Sequence, residues 1–393
     1  MEITTNPIFE DISIAFRSKT DWQLKKAYIL FSVMNKAWLV GVGKFFTKLG
    51  FALRLPIQGI IKNTIYDQFC GGETIADSQG TINELSKYNI GTILDYSVEG
   101  ASTEDGFEDT TQEILRTIER AANDSHLPFC VFKATGIAVN SVFEKKQAGD
   151  TLSEKEEQSY KNSVERIEKI CKTAYDNDVR IFIDAEESWL QGAVDEIGYR
   201  MMRKYNREKA IIHLTFQMYR ANMLDYLKEG CKIAESKDFI LGAKLVRGAY
   251  MEKEAERAEE MGYQNPIQIS KEATDLDYNT ALKYCVEHVD RIHFCSGTHN
   301  QYSNYFLTSL MDEYHLEPND ERIWSAQLYG MSDNISFNLA SKGYNVAKYV
   351  PYGPVKAVMP YLFRRAEENT AVAGQSSREF TMIKEEMTRR RQA

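Results

Sequence analysis

Along the chain, short runs of β-branched and aromatic residues alternate with longer polar segments in which apolar residues recur every three or four positions. The runs are 64–69, 91–96, 129–134, 179–184, 210–217, 240–246, 291–295, 323–328 and 346–350. Strands that alternate with helices imply parallel pairing, because each crossover must return the chain to the same edge direction. This many repeats in one chain favours an α/β fold of the (βα)8 TIM-barrel type over an open sheet. Nine runs compete for eight places, so one is expected to be miscast or to lie outside the barrel. The stretch 144–172 is highly charged and lacks turn residues after Gly149, and it predicts one long exposed helix inserted between two strands.

The two ends of the chain read differently from the middle. Spacings such as Leu30, Val33, Met34, Ala37 and Trp38 predict amphipathic helices in residues 1–62. From Arg17 to Lys62 there are nine Lys/Arg residues against one acid, Asp21, interleaved with Trp22, Phe31, Trp38, Phe45, Phe46 and Phe51. Two readings stay open for this basic arm: its rings pack onto the body, or they form a surface for a membrane interface. Residues 63–375 are assigned to the barrel and 376–393 to a charged helical tail.

Just before that tail, a β-prone run breaks between Pro351 and Pro354 and a helical pattern follows. Tyr361, Arg364, Arg365 and Glu368 stand at i, i+3, i+4 and i+7, on one helix face. A proline inside a helix costs about 3 kcal/mol, so Pro360 is expected in the first turn of the main helix or at a kink. The arginine pair then sits near a helix N-terminus, and both features favour an anion, above all a carboxylate gripped by planar guanidinium forks.

Composition narrows the function classes. At 393 residues with a formal charge of −9, the chain suits one large barrel or two domains and does not suit a general nucleic-acid binder. Six cysteines show no CxxC pair or ligand spacing and are expected as reduced thiols of a cytosol-like compartment. The first residues lack the features of a secretory signal, and no apolar run has the length of a membrane span.

Polar residues recur where the strands end: Lys133 in FKATG, Asp184 in FIDAEES, Gln217 in LTFQMYR, Lys244 and Arg247 in AKLVRGAY, Thr298 and His299 in GTHN, and Gln327 in SAQLYG. Barrel enzymes keep their sites at that face. Singly, each residue has an ordinary structural explanation as a cap, a satisfied amide or a strand-end cation. Asp184, Glu186, His213 and His299 could supply a metal hydrolase site, but the surplus of Lys133, Lys244, Arg247, Arg364 and Arg365 better suits an anionic cofactor with an anionic substrate. No GxGxxG follows a strand and no GxxxxGK[ST] occurs, which speaks against Rossmann and P-loop sites.

The ordered blocks KATG, IDAEES, TFQMYR, KLVRGAYMEKE, GTHN, QLYGMSDN and YVPYGP followed by YLFRRAEEN resemble the proline dehydrogenase (proline oxidase) family of the single-function type. The resemblance implies a distorted (βα)8 barrel with non-covalent FAD at the strand ends, an N-terminal helical arm and a last helix over the barrel mouth. It implies oxidation of L-proline to Δ1-pyrroline-5-carboxylate, with electrons passed to a membrane quinone through peripheral membrane contact. The location it implies is cytoplasmic or on the inner face of a membrane, which in a mitochondrion is the matrix side. Carried over by residue, Lys133, Arg364 and Arg365 would hold the substrate carboxylate, and Tyr349, Tyr361, Leu328 and Tyr250 would enclose its ring. Asp184 would support Lys133, and Glu73 in CGGET would pair with Arg364 and gate the pocket. Gln217, Lys244, Val246, Arg247, Gly248, Thr274, Thr298, His299, Asn300, Arg365 and Glu368 would contact the flavin. Lys244 and Arg247 exchange Lys for Arg relative to some members, and Met251 replaces a tryptophan. The alternatives are hydroxyproline oxidation, against which the bulk of Tyr349 argues, the metal hydrolase, and a membrane-surface scaffold with a dead site.

Overall fold

The computed structural model describes residues 9–98, 101–371 and 375–392. Eight strands close into a barrel in chain order: β1 (Ile90–Tyr96), β2 (Phe129–Lys133), β3 (Arg180–Asp184), β4 (Ile212–Gln217), β5 (Leu241–Val246), β6 (Ile292–Gly297), β7 (Ile323–Leu328) and β8 (Val346–Tyr352). Helices cover the sheet, so the strands are buried on both faces and read as near-continuous apolar runs such as Ile181, Phe182 and Ile183, all under 2% exposed. Parallel register sets Lys133 opposite Asp184, Thr215 opposite Lys244 and Gln217 opposite Val246. Lys133, Asp184, Thr215 and Lys244 are therefore level with one another, and Gln217 and Val246 stand two residues further along.

The ninth candidate, 64–69, is not a strand. Lys62–Tyr66 forms a π-helical turn that runs into a helical turn Asp67–Phe69. The wide π turn brings Ile61 and Tyr66 to one buried side, where the Tyr66 hydroxyl donates to Gly353 O at 2.9 Å. Thr64 and Ile65 lend this stretch its β-like composition, but tertiary burial overrides it. Glu73 consequently follows helical turns and not a first strand.

The expected single helix over 144–172 is two helices, Asn140–Ala148 and Glu154–Asp176. Gly149 ends the first in the left-handed region at φ 78°, and Ser153 opens the second with a capping box to Glu156. Nor is the second wholly exposed, since it buries Ile167, Ile170, Cys171 and Ala174. All six cysteines are free and buried.

By contacts the chain divides into two compact units. The larger comprises Gly100–Ala326 with Gly343–Ala347 and holds β2 to β6. The smaller comprises Met1–Glu99, Gln327–Lys342 and Lys348–Ala393, and it contains the basic arm together with the helices Met359–Ala371 and Gln375–Gln392. In this smaller unit Leu24, Phe31 and Met34 of the arm share a core with Tyr66, Phe69, Leu362, Met382 and Ile383. The two longer helices of the arm, Asp21–Met34 and Ala37–Ala52, bend sharply at the break between them. Phe31 is buried and Phe51 partly so, whereas Trp22, Trp38, Phe45 and Phe46 are more than 60% exposed. Those four rings do not pack the arm onto the body.

Candidate active site

In the larger unit, β3 and β5 end in an ion pair across the intervening strand. Lys244 Nζ donates to Asp184 Oδ1 at 2.5 Å, and the two side chains are 9% and 14% exposed. Thr215 on β4 adds a bond to Ile183 O at 3.0 Å and a longer one to Asp184 at 3.4 Å, and the Lys244 ammonium lies 5.1 Å from the centre of the Phe182 ring. Lys244 is thus held by a carboxylate that the family resemblance assigns to Lys133, which stands opposite Asp184 in the β2–β3 register.

Beside this pair, Glu186 is buried and accepts from Thr135 Oγ1 at 2.6 Å and from the Tyr250 hydroxyl at 3.2 Å. Burial pushes its carboxyl above the usual range, while the Lys133 charge and the Thr135 hydroxyl pull the other way. Gln217 is a brace: its Nε2 donates to Glu186 O at 2.8 Å and its Oε1 accepts from Ala249 N at 3.4 Å. Thr135 was not among the predicted site residues, and Glu186 entered only as a candidate ligand of the metal-hydrolase alternative. Their signal lies in the sequence nonetheless, two positions beyond Asp184 and Lys133 on the same strand-to-loop path.

Arg247 follows β5 and is fixed at every edge. Its Nε donates to Asp275 at 2.6 Å, Nη1 to Thr298 Oγ1 at 2.7 Å and Nη2 to Ser303 Oγ at 3.0 Å, and its guanidinium lies 4.4 Å from the centre of the Tyr278 ring. Asp275, Tyr278 and Ser303 are unforeseen partners. Asp275 and Tyr278 stand one and four positions after Thr274, which is buried on the same helix, Lys271–Glu287. Thr298 Oγ1 also accepts from Asn300 N at 3.1 Å, and Asn300 caps the helix Gln301–Glu313 by accepting from Ser303 N at 3.1 Å. His299 lies half-buried between them, and Val246 is half-buried at the end of β5. Gly248 has φ 144°, and a Cβ there would come within 2.5 Å of the Tyr219 ring, so only glycine fits.

In the smaller unit the helix Met359–Ala371 begins one residue before Pro360, where proline is tolerated. Tyr361 and Arg365 are buried and Arg364 half-buried. The Arg365 guanidinium lies 5.0 Å from the centre of the Tyr361 ring. The side chain of Glu368 lies outside the described residues. Tyr349 on β8 is 7% exposed, and its carbonyl accepts from Tyr329 N at 2.9 Å. Leu328 is half-buried at the end of β7. Glu73, expected opposite Arg364, is ion-paired with Lys62 of the arm.

Next to Tyr349, Lys348 is fully buried, donating to Met331 O at 2.5 Å and lying 2.8 Å from Asp333. Lys19 approaches the same carboxylate at 3.9 Å. Successive residues of a strand face opposite ways, so this buried network lies on the other side of β8 from Tyr349. Sequence reasoning passed over Lys348 altogether.

The donor set at the ends of β4 to β6 fits an anionic dinucleotide. It combines Arg247, Thr298, Asn300, a helix N-terminus and a close backbone approach at Gly248, features that suit phosphate and ribose oxygens. The hydrolase alternative loses its geometry. His213 lies at the start of β4, at the opposite end from Gln217, packed edge-on against the stacked pair Phe129 and Phe182, with burial pushing its imidazole down to about 3.

Comparison with known proteins bears on the same residues. Residues 78–378 match the family model described as proline dehydrogenase. A Dictyostelium discoideum protein named "Proline dehydrogenase 1, mitochondrial" is 33% identical over 433 residues, covering 98% of this chain and 75% of its own length. The carbapenem antibiotics biosynthesis protein CarD of Pectobacterium carotovorum is 34% identical over 335 residues, covering 85% of this chain and 86% of its own. Among solved structures, proline utilization A of Bdellovibrio bacteriovorus, inactivated by N-propargylglycine, superposes with a TM-score of 0.73 over 96% of this chain. At 18% identity that likeness concerns the fold, and this chain spans 41% of that one.

Proposed function

We propose, on the premise that this chain belongs to the proline dehydrogenase family, that it oxidises L-proline to Δ1-pyrroline-5-carboxylate with bound FAD and passes the electrons to a membrane quinone. The chemistry FAD supplies when bound is acceptance of two electrons from a substrate C–H bond; binding, orientation and exclusion of water fall to the protein.

Arg364, Arg365 and Lys133 hold the substrate carboxylate, and Tyr349, Tyr361, Leu328 and Tyr250 enclose the ring. Asp184 keeps Lys244 and Lys133 in place, and Glu73 acts at the pocket entrance, exchanging Lys62 for Arg364. Gln217, Lys244, Val246, Arg247, Gly248, Thr274, Thr298, His299, Asn300, Arg365 and Glu368 form the cofactor site. The observation that carries this reading is the stack of the Arg365 guanidinium on Tyr361 at 5.0 Å, in the first turns of the helix that follows β8. It presets a planar two-pronged donor beside an aromatic wall, which suits a small carboxylate with an apolar ring.

A quinone acceptor requires some surface of the chain to reach a bilayer. No single helix among the described residues is long and apolar enough to cross one, although the bent pair Asp21–Met34 and Trp38–Ala52 is so when taken together; the contact proposed is peripheral. The test of the function is an absorbance spectrum of the purified protein. Flavin bands near roughly 380 and 450 nm that bleach on adding L-proline are expected. A colourless protein, or bands indifferent to proline, would overturn it.

A further inference from the structure

We propose that the outward face of the helix Ala37–Ala52 is the surface that docks this chain onto an anionic bilayer, an inference that rests on the quinone reading above. Trp38, Val42, Phe45, Leu49 and Leu53 recur at spacings of three and four, which aligns them along one side, and Phe46 borders the row. In a helix of a soluble protein such a row faces the core. Here it faces solvent: Trp38 is 67% exposed, Phe45 62%, Phe46 61% and Leu53 61%, while the opposite side carries the partly buried Val40 and Phe51. Phe45 and Phe46 meet edge to face at 5.5 Å, so the protrusion is a joined pair of rings.

Charge selects the occupant. From Trp22 to Tyr66 the chain has seven Lys/Arg residues and no Asp or Glu, within a protein whose net charge is −9. Lys26, Lys44 and Lys62 are spent in ion pairs with Asp67, Glu367 and Glu73. Lys36, Lys48 and Arg54 remain exposed on or beside the helix that carries the apolar row, and Lys25 is exposed on the preceding one. A second copy of this chain would bring the same positive rim against itself, whereas an anionic lipid surface complements it and accepts the rings at headgroup level.

The docking helix also reaches the candidate site within the same unit. Lys44 pairs with Glu367 and lies 5.6 Å from the centre of the Phe363 ring, so it clasps the back of the helix that carries Tyr361, Arg364 and Arg365. A bilayer held by this face is separated from the helix proposed to bind substrate by the docking helix alone, which keeps a lipid-dissolved acceptor close to it.

The experiment is sedimentation of the full chain with vesicles of phosphatidylcholine alone or mixed with phosphatidylglycerol. Two variants are compared with the unmodified chain, W38S/F45S/F46S and K36E/K48E/R54E. Binding is expected only to the anionic vesicles, and each variant is expected to lose at least about tenfold in affinity. Proline turnover with a soluble dye should be unchanged, and turnover with a quinone dissolved in the vesicles should fall in parallel with binding. Equal binding by chain and variants would overturn the proposal. So would sedimentation velocity showing a dimer of the unmodified chain that W38S/F45S/F46S dissociates, with no vesicle binding by either. Absence of dye-linked turnover in all three proteins would instead remove the catalytic reading, and the vesicle result would still report on the surface.

Discussion

Lys244 and Asp184 lie 2.5 Å apart although β4 runs between their strands, and both side chains are largely withdrawn from water. Two charges buried at that distance hold each other. Removing one takes from the other its nearest opposite charge in a largely desolvated setting, which costs up to about 3–5 kcal/mol. Lys244→Met is therefore expected to lower unfolding stability by about that amount, and adding Asp184→Asn should recover part of the loss. Denaturant melts of the three proteins measure this, and a wild-type-like midpoint for Lys244→Met would show that the pair contributes nothing.

Arg364→Ala and Arg365→Ala are each expected to cut kcat/KM for L-proline by about 30-fold to several thousand-fold. That range corresponds to about 2–5 kcal/mol for a lost partner of a desolvated charge. Arg365→Lys should not restore activity, because an ammonium cannot reproduce the planar stack on Tyr361. Steady-state kinetics with a soluble dye decide it; unaltered constants for both alanine variants would remove the carboxylate role.

Tyr349 is 7% exposed and lies on the side of β8 opposite to the buried Lys348. Tyr349→Ser opens room for a ring hydroxyl, and the ratio of kcat/KM for trans-4-hydroxyproline to that for proline should rise by about tenfold or more. A ratio that does not move assigns the selectivity to another residue.

Glu379 titrates where physiological pH changes matter. Burial first, then the Asp333 charge, push its carboxyl up to about 7, against Ser332 N–H, Lys348 and Arg378, which lower it. An acid that binds its proton more tightly when folded adds stability below its unfolded value of 4.5, and that addition fades as pH rises to about 7. Glu379→Gln resembles the protonated form at every pH. Its melting temperature, relative to the unmodified chain, should gain between pH 5 and 8 by the equivalent of about 3 kcal/mol at most. Parallel curves across that range would place the titration elsewhere.

How much of this was legible before the fold was known follows from what each kind of sequence signal reports. The eight barrel strands were readable because a parallel strand buried on both faces needs a largely apolar run, as in Phe129–Phe132 of β2 and Ile181–Ile183 of β3. The same rule misread 64–69, since a β-branched composition cannot tell a strand from a buried helical turn. The two helices in 140–176 were hidden by a common charge pattern, although Gly149 and the Ser153–Glu156 box mark the break locally. The strand-end polar residues and the Tyr361–Arg365 face were also determined by sequence, because period and position decide which side chains share a level or a face.

Tertiary structure alone decided what lies across from each of them. Lys244 takes Asp184, Arg247 takes Asp275, Thr298 and Ser303, and Glu73 takes Lys62, pairings between residues 11 to 60 positions apart. Only the packing of Phe31 and Met34 into the core could show that Phe45 and Phe46 face water. A hydrophobic period names a side of a helix, but which side is covered depends on what the rest of the chain brings to it.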